Sequence, residues 1–258
     1  MSRVVVIKRG VVLLVMFTLS IWVVSRWDVW FGNPPEPSYS VLQSPSRILM
    51  TNGELPNHRT ITWQHDSIVR SACVEYVDRS PSHHDILYVA EAKAVTFESR
   101  SGKSTFYRAN MTELKEGCDY KYRVCSGVDT TQWFEFSMPK CDSVFSFLFF
   151  GDVQDELNGS FDSLFHQAML SNKERAFVLF GGDLIERPMD KYWSEVFRSF
   201  DTLSATCPIL SVPGNHEYLK GVTRRLEGRF PLVFPYFIQD TLRMKEFGVL
   251  DNSLYTFS

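Results

Sequence analysis

The chain has no run of like charge, no low-complexity tract and no excess of either sign: 27 lysines and arginines against 30 aspartates and glutamates leave a net charge of −3. With a pI near 6.1, no nucleic-acid partner is expected on electrostatic grounds. Cysteine is sparse. The five present all lie beyond the amino-terminal segment, and their odd number leaves one unpaired whatever the others do. Nothing repeats apart from a ladder of short glycine motifs. What the chain does have is apolar substance, 44 % hydrophobic and 14 % aromatic residues, enough for two modest domains with cores of their own.

Arg3, Lys8 and Arg9 precede an uncharged stretch from Gly10 to Val24, which is followed by Arg26 and Asp28. This is the pattern of an export signal. At ~1.5 Å per residue the stretch would span roughly 22 Å, short of the ~30 Å hydrocarbon core, which suits a signal peptide. Trp22, Trp27 and Trp30 instead suit the interfacial belt of a retained, tilted membrane anchor. Both readings stand, and both place everything after Arg26 outside the cytoplasm, secreted, periplasmic or anchored through residues 10–24. Pro34, Pro35 and Pro37 stiffen the spacer that closes this segment at residue 37.

From 45 to 140 the grammar is that of strands. RILMT, RTITWQ, SACVEYV, DILYVAEA, TFYRANM, YKYRVC and TQWFEFSM alternate with turn-rich segments, and seven short strands of this kind predict an all-β sandwich. Trp63 is expected in its core. From 144 to 258 the grammar changes to strand-helix alternation. Phe161, Leu164, Phe165, Ala168 and Met169 form one helical stripe, and Trp193, Val196, Phe197 and Phe200 form a second. Each stripe lies between apolar runs that end in Gly151-Asp152, Gly182-Asp183 and Gly214-Asn215-His216-Glu217. Asp152, Asp183 and Asn215 stand thirty-one and thirty-two positions apart, the length of a strand-helix-strand unit. Right-handed crossovers make the three strands parallel and bring their motif loops to one sheet edge, where hard oxygen donors read as a metal site.

Three such motifs in order resemble the calcineurin-like metallophosphoesterases. The strand-rich region in front, in which LKEGCDYKYRV resembles the fibronectin type III signature, points to the purple acid phosphatase-like branch. The resemblance implies a metal-dependent phosphoric ester hydrolase with two divalent cations of Fe, Mn or Zn type, a phosphate ester substrate, and attack on phosphorus by a metal-bound hydroxide. Carried over by position, Asp152 would bind the first cation, Asp183 would bridge both, Asn215 would bind the second, and His216 would face the substrate. The same resemblance implies bridges between Cys73 and Cys125 and between Cys118 and Cys141. Glu217 is expected to hydrogen-bond within its own loop rather than act as a base.

The chain departs from the family at three points. Glu186 stands where the branch has a tyrosine, so the protein is expected to be colourless, with the Glu186 carboxylate as a hard ligand in place of the phenolate. Gln154 stands where other members have a histidine and would contribute an amide oxygen or hold a water. No VxxH or GHxH block follows Asn215. The chain therefore reads as the amino-terminal half of a phosphoesterase, an incomplete βαβαβ half that is inactive by itself. The alternative is a non-catalytic secreted or anchored binding module on a degenerate phosphoesterase scaffold. Arg224, Arg225 and Arg229 read as a solvated loop face, with contact to an anionic substrate as the second option.

Overall fold

A computed structural model describes residues 3–80, 86–140, 144–155 and 159–235. The proposed partner of Cys118, Cys141, lies outside the described residues. The first helix, α1 (Arg3–Phe31), is longer than the uncharged stretch alone suggests, because helical backbone continues through Arg26 and Asp28. Its candidate membrane span, Ile7–Phe31, is 25 residues long, about 37 Å of rise and sufficient to cross a bilayer by length and composition. The Trp22 and Trp30 rings meet edge to face with centroids 5.2 Å apart. Residues 1–35 and 219–225 form one compact unit, within which Asn33 and Lys220 exchange two hydrogen bonds of 2.9 Å.

A second unit comprises residues 36–218 and 226–258. Its β-sandwich is built from β1 (Ser46–Asn52), β2 (Arg59–His65), β3 (Cys73–Asp78), β4 (Leu87–Ser99), β5 (Gly102–Met111), β6 (Asp119–Ser126), β7 (Asp129–Thr130) and β8 (Phe134–Ser137). The order runs β1-β2-β5-β4-β3-β6-β7, with β8 also on β6. All pairings along it are antiparallel, and β4 changes partner midway: Glu91 pairs with Cys73 on β3, while Ala92 pairs with Ala109 on β5. One long strand thus joins the two faces. Trp63 is buried between them, stacked on Tyr107 at 5.2 Å, with Ile61, Val74, Tyr122, Val124 and Phe136 around it. The alternation of these residues along their strands puts one side of each on this core.

The α/β portion of the same unit runs β9 (Ser146–Phe150), α2 (Phe161–Ser171), β10 (Arg175–Phe180), α3 (Asp190–Phe200) and β11 (Ile209–Ser211). The sheet order is β11-β10-β9, and both pairings are parallel. Phe165 and Met169 of α2 and Trp193, Val196 and Phe200 of α3 are buried against it, as their spacing predicts. Leu164 of the first stripe is instead exposed. The opposite face of the sheet is bare at Phe147 and Phe149, because alternate β9 residues point away from the helices.

Sandwich and α/β portion share polar contacts as well as a core. The Tyr122 hydroxyl donates to the Ala205 carbonyl at 2.7 Å, and the Ser204 hydroxyl donates to that of Ile48 at 2.7 Å. Beside them lies a buried charge network. Arg47 grips both Asp190 oxygens at 2.9 and 2.8 Å, and Arg229 grips both Glu36 oxygens at 2.7 and 2.9 Å. The Glu36 carboxylate also accepts the Asp190 backbone N–H at the start of α3. Arg229 is only 2 % exposed, which corrects the expectation of a solvated loop for this residue: the chain folds carboxylates around it, and a paired buried cation is sustainable where a lone one is not.

Candidate metal centre

The strand register decides where the motif loops emerge. Phe180 of β10 pairs with Phe150 of β9 on one side and with Ser211 of β11 on the other, so the three strands end in one row. Asp152, Asp183 and Asn215 follow that row by two, three and four residues. Parallel strands leave their carboxyl ends on the same edge, and the loops found there are free to carry chemistry.

These loops are tied to one another through Asp183. Its carbonyl accepts the Gln154 N–H at 2.9 Å, joining the β9 and β10 loops. Its carboxylate Oδ1 accepts the His216 N–H at 2.8 Å, joining the β10 and β11 loops. Both aspartates carry strained backbone, with φ of +53° at Asp152 and +51° at Asp183. Aspartate tolerates the left-handed region better than most residues, yet such conformations cost about 1–3 kcal/mol and persist mainly at functional sites.

Gly214 and Gly182 permit the close approach. A Cβ on Gly214 would lie 2.2 Å from Asp183 Oδ1 and 2.4 Å from its nitrogen, overlaps no side chain can relieve. Gly182, at φ +97°, would put one 2.9 Å from the Gly214 backbone.

His216 and Asn215 sit in a single 3-10 turn (Asn215–Glu217) directly after the third loop's glycine. Asn215 is exposed, as is Asp152. The His216 ring nitrogen Nδ1 lies 2.6 Å from the Glu186 carbonyl oxygen. A carbonyl only accepts, so Nδ1 carries the hydrogen and Nε2 is the free nitrogen of the neutral ring. Glu186 therefore touches this site with its backbone, while its carboxylate stands 3.9 Å from the Arg187 Nε. Gln154 presents a buried side-chain oxygen that has no hydrogen-bond partner among the described residues. A dehydrated, unpaired amide oxygen costs free energy unless something binds it.

Glu217 is the residue whose reach exceeds the expectation. It is 0 % exposed, and its carboxylate accepts the Gly214 N–H of its own loop at 2.6 Å. It also accepts three N–H groups from the loop after β10, those of Asp183, Leu184 and Ile185, at 3.1, 2.7 and 3.2 Å. Burial lifts its carboxyl above the ordinary range, and the four donors pull it part of the way back. A glutamate three residues past a glycine turn has the spacing of a capping box, but the three long-range partners carry no local sequence signal. Among the described residues, no group of three or more His, Cys, Asp and Glu side chains is arranged to hold a metal ion.

Residues 45–138 match the family model for the purple acid phosphatase N-terminal domain, and residues 145–256 match that for calcineurin-like phosphoesterases. Among solved structures, a purple acid phosphatase from yellow lupin (Lupinus luteus) seeds aligns at 17 % identity with a TM-score of 0.62, covering 79 % of this chain and 42 % of its own. PhoD aligns at 14 % identity with a TM-score of 0.43, over 72 % of this chain and 41 % of its own. The chain thus spans less than half the length of either structure. No curated protein matches it.

Proposed function

The chain carries a purple acid phosphatase N-terminal domain followed by a calcineurin-like phosphoesterase domain, and on that premise we propose that it supplies one side of a two-metal phosphoric ester hydrolase site. The observation that carries this reading is the mutual locking of three motif loops at one sheet edge, with Asp183 bonded to both of the others. Asp152, Asp183 and Asn215 are the residues that would hold the cations, with Asp183 as the ligand they would share. Gln154 joins them through the buried amide oxygen that lacks a partner among the described residues, and a hard oxygen donor of this kind fits a divalent cation. The Glu186 carboxylate, half-buried on the loop after β10, is the proposed replacement for the phenolate of the purple enzymes, which would make the protein colourless.

Bound cations would supply Lewis acidity that neutralises charge on a phosphoryl group. The chain's own residues supply the rest. In its protonated form His216, with Nδ1 donating to the Glu186 carbonyl, presents an Nε2–H that can donate to a phosphoryl oxygen or pass its proton to a leaving alkoxide. The proposed ligands among the described residues are too few for tight binding of two ions, so hydrolysis by these 258 residues alone is expected to be little or none. The proposed location is extracytoplasmic, with α1 as signal or anchor and Trp22, Trp27 and Trp30 at its outer end.

The absence of a three-member ligand group among the described residues is the one observation that favours the second reading, a binding module on an inactive scaffold. A Mn2+ titration followed by electron paramagnetic resonance separates the two. The catalytic reading expects weak, saturable Mn2+ binding that disappears in Asp183→Asn. Absence of binding in the wild-type protein, or equal binding in both, refutes it.

A further inference from the structure

We propose that Glu217 is the positioning residue of this centre, a buried carboxylate strap that holds the loop of the bridging aspartate and the Asn215-His216 turn in one geometry. The inference rests on the proposed metal site for its functional meaning, while the strap itself is a statement about four hydrogen bonds.

The accounting of donors and acceptors carries it. An ionised carboxylate offers about four acceptor sites, and four backbone N–H groups occupy them here. Oε1 takes Leu184 and Ile185, at 2.7 and 3.2 Å; Oε2 takes Asp183 and Gly214, at 3.1 and 2.6 Å. Nothing is left over for a metal ion or a proton in transit, and with 0 % exposure no water reaches it. Glu217 is thereby excluded as ligand and as base.

What remains is geometry. Oε2 bonds one amide from each of the two loops, so it sets the distance between the Asp183 nitrogen and the Gly214 nitrogen. From that distance follow the fit of Gly214 against Asp183 and the bond from the His216 N–H to Asp183 Oδ1 at 2.8 Å. The strap is anchored from behind as well, since the Glu217 carbonyl accepts the Glu227 N–H at 3.0 Å.

No other side chain does this work. Glutamine has the same shape, but its NH2 would face backbone donors in place of one oxygen, turning two bonds into donor-donor contacts. Aspartate is one methylene shorter and cannot span both loops. A role in packing alone would be rescued by glutamine, whereas the strap would not be.

The test uses Glu217→Gln in the full chain, with amide hydrogen exchange and Mn2+ titration as two separate readouts. The strap requires that the amides of Asp183, Leu184, Ile185 and Gly214 be protected in the metal-free wild-type protein. In Glu217→Gln their exchange should be at least tenfold faster, with sandwich amides such as Trp63 unchanged. Mn2+ affinity should fall about 10- to 100-fold, the range for groups that orient metal ligands through another residue. Wild-type exchange at free-loop rates overturns the proposal even where the variant does not fold, and unchanged exchange in a folded Glu217→Gln overturns it as well. A protected wild-type loop that loosens in the variant, without Mn2+ binding in either, upholds the strap and refutes the metal reading instead.

Discussion

The Nδ1 of His216 and the carbonyl oxygen of Glu186, thirty positions apart in sequence, lie 2.6 Å from each other. The contact assigns the tautomer of the ring by the chemistry of its partner. In the neutral imidazole, two-bond nitrogen-proton spectra at alkaline pH should show Nδ1 protonated and Nε2 bare. The opposite tautomer would contradict this contact with the Glu186 carbonyl. In a preparation with measurable phosphoesterase activity, His216→Ala should lower the rate by about 10²–10⁴-fold and leave metal stoichiometry unchanged.

The glycines of the three motifs are not equivalent. A Cβ on Gly214 would overlap Asp183 at 2.2 Å, while one on Gly151 would meet nothing nearer than the Phe149 ring at 3.5 Å. Gly214→Ala is therefore expected to destabilise the protein by about 1–3 kcal/mol or more, as forced overpacking does. Gly151→Ala should be close to neutral. Urea denaturation of both variants checks the contrast, and equal losses would contradict the geometry.

Burial pushes the Glu227 carboxyl from its ordinary 4.5 up to about 7, with Glu36 adding to the rise and Arg229 and Arg100 opposing it. Between these values the folded state holds a proton that the unfolded state has released. The contribution of Glu227 to stability is therefore complete below about pH 4.5, declines as pH rises toward 7, and levels off above. The stability gap between the neutral variant Glu227→Gln and the wild type should therefore move in the variant's favour by roughly 2–3 kcal/mol from pH 5 to pH 8, beside a pH-independent cost for the lost 3.0 Å contact with Arg229 Nε. Denaturant titrations at the two pH values measure it. A gap that moves in the wild type's favour over that range would have the wrong sign.

Cys73 and Cys125 are register partners on β3 and β6, and both are free thiols. Burial, with the facing Cys125 thiol as the second cause, pushes Cys73 up to about 11. Thiolate is thus scarce at neutral pH, and thiolate is the reactive form. Oxidised glutathione should link the pair slowly at pH 7 and faster above pH 9, the two thiols giving up two protons and two electrons as glutathione is reduced. Peptide mapping without reductant should find Cys73 joined to Cys125. A link from Cys73 to Cys118 would contradict the register.

Much of this arrangement was legible in the chain because short-range rules governed it. Strand alternation around Trp63, the helical stripes through Phe165 and Trp193, and the spacing of Asp152, Asp183 and Asn215 all follow from periodicities a single segment displays. Leu164 failed the same test, since it lies at the margin of an apolar stripe and the sheet covers only the centre. Arg229 failed because its local setting, a polar turn after Glu227 and Gly228, resembles a solvent loop. Glu227 is a carboxylate partner two residues away, but the other two, Glu36 and Asp190, come from 193 and 39 residues away.

By itself, then, the amino-acid order determined which elements form, in what sequence, and which side chains stand at the ends of the apolar runs, because backbone sterics and hydrophobic periodicity act over a few residues. Tertiary structure alone decided that Glu217 straps two loops together, that His216 is held by the Glu186 backbone, and that Arg229 is buried. Those outcomes depend on backbone amides and carbonyls, which every residue carries alike, and on charges that meet only after the chain has closed.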